Sequence, residues 1–297
     1  MTHLWAVILG VVQGFAEFLP VSSTAHLKLI PWAFGFNDPA LVSMQFEIAL
    51  HAGSFVAIVI ALWRDWVDLA LAALGRARGG AESDTTGLPL RDTQFARRFV
   101  GFLLLTSIPG ALFGVVLAKK IEYFSTPDFA GVARAGAPAG FHYAPLIVGA
   151  ALIVFGVALW ASDRFVRRAD PIESLSWWKA LVIGLAQAAA LIPGVSRSGS
   201  TMMVGRLVGL KRQAVAQYSF MAALPIIGGA ALFGLRGVAL STLFSLDWIL
   251  GFTAAAISSV LVMRWMLSYV RSHSFAIFMW YRIAVGVLVI ALFFVRG

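Results

Sequence analysis

Apolar blocks of membrane-spanning length, separated by charged connections, restrict this chain more than any other feature. Residues 46–63, 99–118, 145–162, 217–235, 248–263 and 275–295 form six such blocks. Each approaches the roughly 20 residues a helix needs to cross about 30 Å of hydrocarbon. Only 12% of residues are charged and 60% are hydrophobic, whereas soluble domains are about a quarter charged, so an aqueous globular fold is excluded. The N-terminal apolar stretch does not read as a cleaved signal: it lacks a basic leader, and Gln13, Glu17 and His26 interrupt or follow it. The absence of cysteine excludes disulfides and thiolate chemistry. The net charge of +9 is not a nucleic-acid signature, because Lys and Arg gather at the ends of apolar blocks, where they anchor spans. No nucleic-acid partner is expected.

The connections set a topology. Residues 64–98, with Arg76, Arg78, Glu82, Asp84 and Arg91 among turn residues Gly79, Gly80 and Pro89, read as a charged loop. Residues 119–144 read as a second, Gly-, Ala- and Pro-rich loop. Connections 64–98 and 164–179 hold six and four Lys or Arg, which places both in the cytoplasm. Lys211, Arg212, Arg264 and Arg271 also belong inside, and this conflicts with 178–192 being a full span. The conflict disappears if 178–210 enters the membrane, breaks at Pro193-Gly194 and returns, since that pair does not continue a helix. Residues 5–32 have the same shape, broken near Pro20.

Sliding the chain on itself by 174 residues pairs Gly10 with Gly184, Gln13 with Gln187, Ser22 with Ser196, Gly35 with Gly209 and Phe46 with Phe220. This points to an internal duplication. Three spans per copy invert the second copy, and the two broken tips then meet near the midplane, where repeat-built membrane proteins place their sites. The expected fold is an all-α polytopic membrane protein, one domain over 1–297, with six transmembrane helices plus two re-entrant helix pairs in an inverted repeat. The copies are approximately 1–163 and 174–297, and both termini lie outside.

The first break reads Gln13-Gly-Phe-Ala-Glu17-Phe-Leu-Pro20-Val-Ser22-Ser23-Thr24-Ala-His26. Gln13 and Glu17 share one helical face, and a carboxylate at membrane depth is a functional candidate by default. Ser22, Ser23 and Thr24 open the next helix, whose N-terminus is a ready anion site. His26, three residues after Ser23, is placed to accept its proton, although capping serines beside a packed histidine have the same pattern. The second break reads Pro193-Gly-Val-Ser196-Arg197-Ser198-Gly-Ser200-Thr201. Arg197 presents a fork of donors suited to phosphate oxygens and needs an anionic partner, either a ligand or Glu17 in a structural salt bridge. Glu47 and His51 share a face of span 46–63, either as partners of the site or as residues at the headgroup level.

At these residues the chain resembles the bacterial undecaprenyl-diphosphate phosphatases linked to bacitracin resistance. The stretches that carry the resemblance are Glu17-Phe-Leu-Pro-Val-Ser-Ser-Thr-Ala-His26, Phe46-Glu47 through Ser54, and Pro193-Gly-Val-Ser-Arg-Ser-Gly-Ser-Thr201. It implies a membrane hydrolase that removes the terminal phosphate of undecaprenyl diphosphate and so recycles the lipid carrier of cell-wall synthesis. It also implies action at the outer face of the bacterial inner membrane, with help from a divalent cation, Mg²⁺ or Ca²⁺. Carried over by motif, Glu17, Ser22, Ser23, Thr24, His26, Ser196, Arg197, Ser198 and Thr201 form the site. Several members have Glu where this chain has Gln13, so Glu17 is the one carboxylate available to a metal here.

Two mechanisms of different class follow. In the first, Glu17, Ser23, His26 and Arg197 perform phosphoryl transfer, with Gln13, Ser22, Thr24, Ser196, Ser198 and Thr201 binding the substrate; Ser23, His26 and water remain rival nucleophiles. In the second, the same inverted-repeat site serves a lipid-phosphate transporter or flippase. The expected partners are a prenyl diphosphate lipid, membrane lipid and, as an open alternative to a monomer, a second copy in a homodimer.

Overall fold

The computed structural model describes residues 2–77, 83, 85–116 and 144–296, and their regular structure is helical apart from one isolated bridge between Asp170 and Leu210. In chain order the helices are α1 (Thr2–Phe18), α2 (Ser23–Phe34), α3 (Met44–Ala61), α4 (Trp63–Ala73), α5 (Thr93–Val116), α6 (Ala144–Phe165), α7 (Trp177–Ala189), α8 (Arg197–Leu207), α9 (Arg212–Gly234), the single turn α10 (Leu240–Leu243), α11 (Leu246–Tyr269) and α12 (Ala276–Arg296). Six of them, α3, α5, α6, α9, α11 and α12, are long and apolar enough to cross a membrane. They coincide with the six apolar blocks of the sequence.

The connection 64–98 is not wholly a loop. Helix α4 occupies its start, and α5 begins at Thr93, where Asp92 caps it by accepting the Phe95 N–H at 2.6 Å. The charges that suggested a loop partly face inward. Asp65 accepts from Ser83 and Thr86, and Asp68 pairs with Arg91 at 2.9 Å. Buried polar groups satisfied in this way let a charged segment pack as helix. Arg78, Gly79, Gly80, Glu82 and Asp84 lie outside the described residues, as does nearly all of the expected loop 119–144.

The four helices that flank the breaks, α1, α2, α7 and α8, are shorter than these six. Helices α2, α7 and α8 hold 12, 13 and 11 residues, roughly 16–20 Å of axial rise and short of the hydrocarbon thickness. Helices α1 and α2 flank the break at Pro20, and α7 and α8 flank the break at Pro193-Gly194. Ser22 and Ser196 are the two non-glycine residues of positive φ among those described, at 76° and 75°. They are 174 residues apart. Positive φ also ends α2 at Gly35 and recurs at Gly209, the residue at the same offset.

Packing follows the same correspondence. Helix α1 packs on α11 while α7 packs on α5, and α3 packs on α11 while α9 packs on α5; α3 also meets α9, and α6 meets α12. Small residues permit the closest approaches. A Cβ on Gly10 would stand 2.3 Å from the Gly251 carbonyl of α11, and one on Gly184 would stand 2.7 Å from the Thr106 carbonyl of α5. Backbone cannot yield as a flexible side chain does, so Gly10→Ala is expected to destabilise the protein by about 1–3 kcal/mol. A lowered melting midpoint in detergent would register this; an unchanged midpoint would mean that α1 and α11 can separate freely.

Candidate active site

The site grows from one turn of α1. Gln13 and Glu17 lie on the same face, and the Gln13 amide donates to Glu17 Oε2 at 3.2 Å and to Ser54 Oγ of α3 at 3.4 Å. Ser259 of α11 donates to the same Ser54 hydroxyl at 3.0 Å. Three helices therefore hold the Gln13 side chain. Glu17 is only 5% exposed, and a carboxylate so deep needs several donors. It has them. Ser23 Oγ donates to Oε2 at 2.6 Å, Arg197 Nη2 donates to Oε1 at 2.9 Å, and His51 Nε2 stands 3.4 Å from Oε2.

These groups meet because both breaks turn inward. Pro20 has no N–H to continue α1, and the chain reverses through Ser22 to start α2 with Ser23 in its first turn. On the other side, Ser196 begins α8 and accepts the Gly199 N–H on its own hydroxyl at 3.1 Å. The breaks are tied to each other: Gly194 N–H donates to Ser22 Oγ at 3.2 Å, and Ser198 Oγ donates to the Leu19 carbonyl at 2.9 Å. Two helix N-termini, each with backbone N–H groups unspent by the helix, thus converge on the Glu17–Arg197 pair. Positive φ at a serine is strained backbone, and it occurs here at both tips.

The pairing of Glu17 with Arg197, expected as one of two alternatives, is present. Arg197 also donates from Nη1 to the Ser219 carbonyl of α9 at 2.9 Å, while its buried Nε has no hydrogen-bond partner among the described residues. The buried Gln13 Oε1 has none either. A donor and an acceptor left unspent beside a salt bridge are the features of a site that receives a polar ligand.

The expected approach of His26 to the Ser23 hydroxyl is not what the side chains do. His26 Nδ1 donates to the Ser22 carbonyl at 2.7 Å, and its Nε2 accepts from the Tyr281 hydroxyl at 2.7 Å, the two rings stacked at 13°. Ser23 turns to Glu17 instead. Ser22 and Thr24 hydroxyls lie 3.3 Å apart, and those of Ser196 and Ser198 lie 3.2 Å apart. The Thr201 hydroxyl bonds Ser219 Oγ at 2.7 Å and returns to the Arg197 carbonyl at 2.9 Å.

His51, open in the sequence between a partner of the site and a headgroup-level residue, touches Glu17. Three further participants escaped the sequence reading: Ser219 anchors Arg197, Tyr281 holds His26, and Arg282 bonds carbonyls of both breaks. Arg282 had a legible signal, being an arginine inside an apolar span. Tyr281 and Ser219 had none, since their roles depend on tertiary contacts alone.

A divalent cation finds limited protein ligation. No group of three or more His, Cys, Asp or Glu among the described residues is disposed to hold a metal. Glu17 and the unspent Gln13 Oε1 offer two oxygens, which fits a hard cation that keeps most of its ligands from phosphate and water.

The model of the family described as bacitracin resistance protein BacA matches residues 6–288. A protein named undecaprenyl-diphosphatase from Moorella thermoacetica is 38% identical over 296 residues, covering all of both chains. Proteins of the same name from Desulforudis audaxviator and Gemmatimonas aurantiaca are 38% and 36% identical, covering 100% and 98% of this chain and the same shares of their own.

Proposed function

The chain belongs to the bacitracin resistance protein BacA family, and from that premise we propose that it is an undecaprenyl-diphosphatase. It hydrolyses undecaprenyl diphosphate to undecaprenyl phosphate and inorganic phosphate, which returns the lipid carrier to cell-wall synthesis. The observation that carries this reading is the Ser23–Glu17–Arg197 constellation at the meeting of two helix N-termini. A hydroxyl nucleophile and a guanidinium for phosphate oxygens each stand within hydrogen-bonding distance of one carboxylate, which can accept the nucleophile's proton.

In the proposed reaction the diphosphate lies between the N-termini of α2 and α8, with Arg197, Ser196 and Ser198 donating to its oxygens. Ser23 Oγ attacks the terminal phosphorus as its proton passes to Glu17. The bond between that phosphorus and the bridging oxygen breaks, the electron pair leaves with undecaprenyl phosphate, and the phosphoryl group remains on Ser23. Glu17 passes the proton it holds to the departing undecaprenyl phosphate; water then attacks the phosphoserine as Glu17 takes a water proton, the bond between phosphorus and Ser23 Oγ breaks, and Oγ recovers a proton from Glu17 as phosphate is released. Most of the acceleration comes from fixed positive charge and N–H dipoles facing the transferring phosphoryl. The Ser23–Glu17 hydrogen bond favours this route over attack by His26, whose nitrogens both have other partners. A bound Mg²⁺ or Ca²⁺, with Glu17 and the Gln13 amide oxygen as protein ligands, would neutralise diphosphate charge.

The wider architecture belongs to the same proposal. Helices α1–α2 and α7–α8 act as re-entrant pairs from opposite faces, within an inverted repeat of approximately 1–163 and 174–297. In support, the 174-residue offset pairs the two positive-φ serines, and it exchanges α1–α11 packing for α7–α5 packing. Basic connections at Arg164, Arg167, Arg168, Lys211 and Arg212 favour an inner-membrane orientation with those loops in the cytoplasm and the site open to the periplasm. Pairing into a homodimer is retained as an expectation.

The test is phosphate release from a long-chain prenyl diphosphate by the purified protein in detergent, with Mg²⁺ or Ca²⁺ supplied. Detergent removes the second compartment that transport needs, so release there identifies a hydrolase. A well-folded protein that releases nothing would overturn the phosphatase reading and leave movement of the lipid to be measured in vesicles.

A further inference from the structure

Arg282 of α12 is completely buried, and the partners of its guanidinium are all carbonyl oxygens. Nε donates to Leu152 at 3.0 Å and Nη1 to Pro20 at 3.0 Å. Nη2 donates to Gly194 at 2.6 Å, Val195 at 3.2 Å and Ala151 at 3.5 Å. No carboxylate pairs with it among the described residues. Burying a cation without a counter-charge is costly, and cross-linking carbonyls alone would be served by a neutral amide. The charge therefore calls for a use, and its position suggests one.

Two of these carbonyls, Ala151 and Leu152, belong to α6, and the other three belong to the two breaks. Pro20 precedes strained Ser22 by two residues, and Gly194 and Val195 immediately precede strained Ser196. One rigid, planar group thus spans both tips and fixes the distance between them. In a trans peptide the C=O and the following N–H point in opposite directions, so holding the Val195 carbonyl directs the Ser196 N–H away from Arg282. Two glycines admit the side chain. A Cβ on Gly156 of α6 would stand 3.0 Å from Arg282 Cβ, and one on Gly199, in the first turn of α8, would stand 3.1 Å from Nη1. The guanidinium is seated directly behind the helix end that carries Arg197 and Ser198.

We propose that Arg282 is a positioning residue for phosphoryl transfer: it sets the gap between the N-termini of α2 and α8 and places one uncompensated positive charge behind both. Resting on the phosphatase reading, it assigns to α12 a part in the site, since Tyr281 and Arg282 reach different elements of it. A diphosphate needs two anchored ends, and the clamp keeps both anchors at one spacing.

The experiment compares kcat and KM for a long-chain prenyl diphosphate in detergent for the parent, Arg282→Lys and Gly156→Ala, with melting midpoints measured beside them. Lysine keeps the charge but cannot reach carbonyls on both breaks at once. Arg282→Lys is expected to lower kcat by about 10- to 100-fold with KM close to parental, the cost of reacting groups displaced by up to about 1 Å. Gly156→Ala, which presses on the Arg282 stem from α6 without changing its chemistry, lowers kcat in the same direction by a smaller factor. A purely structural role would instead lower the melting midpoint and leave kcat and KM unchanged. Parental kcat in folded Arg282→Lys, or in Gly156→Ala if the lysine variant does not fold, overturns the proposal. A parent that releases no phosphate refutes the phosphatase reading instead, so the two failures are distinguishable.

Discussion

Arg197→Ala is expected to lower kcat/KM for a long-chain prenyl diphosphate by about 10³-fold or more, the scale of an arginine that stabilises a transferring phosphoryl group. The expectation follows from how its donors are spent. Nη1 and Nη2 hold the Ser219 carbonyl and Glu17, while Nε is buried with no partner among the described residues. Arg197→Lys keeps the charge but loses the planar fork, so it should fall between the parent and the alanine variant. The alanine change has a second consequence. It strips a buried carboxylate of its cation, and breaking a buried pair costs about 3–5 kcal/mol in stability. Loss of activity must therefore be separated from loss of fold. Combining Arg197→Ala with Glu17→Gln removes the orphaned charge, and the double variant is expected to melt closer to the parent while staying inactive. If folded Arg197→Ala kept more than about a tenth of parental kcat/KM, less than 1.4 kcal/mol of transition-state stabilisation would depend on it, and its role would reduce to holding Glu17.

Much of this arrangement was legible because a membrane makes polar residues conspicuous. Six apolar blocks marked six helices, and the glutamate and arginine singled out beside Pro-containing breaks are the two residues that pair in the candidate site. The 174-residue offset paired Ser22 with Ser196, which are also the two strained serines. Contacts set by distant packing were not legible. Sequence proximity suggested His26 as the partner of Ser23, but the Tyr281 hydroxyl lies 255 residues away in the chain and draws the imidazole aside. His51 faced two open readings until the packing of α3 brought its Nε2 to Glu17. Helix α4 was hidden for the opposite reason. Residues 64–98 read as a charged loop, whereas Ser83 and Thr86 satisfy Asp65, and Arg91 satisfies Asp68, inside the fold.

The choice between a serine and a water nucleophile turns on Ser23→Ala and Glu17→Gln taken together. Ser23 Oγ is 2.6 Å from Glu17 Oε2 and sits in the first turn of α2, where N–H groups left free by the helix face incoming anion charge. If Ser23 attacks phosphorus, removing it deletes a chemical step, and phosphate release should fall by at least about 10³-fold, since nucleophile deletions in comparable hydrolases cost more than that. Glu17→Gln should cost about 10²- to 10⁴-fold, the range for a lost general base. Neither value alone is decisive, because Glu17→Gln also unpairs Arg197. The double variant is decisive. A nucleophile and its base act as one unit, so once Ser23 is gone the carboxylate has nothing left to activate, and Ser23→Ala with Glu17→Gln should be little slower than Ser23→Ala alone. Were water the nucleophile and Glu17 its base, Ser23→Ala would lose one hydrogen bond and about a factor of ten, and adding Glu17→Gln would multiply that loss by its full separate effect.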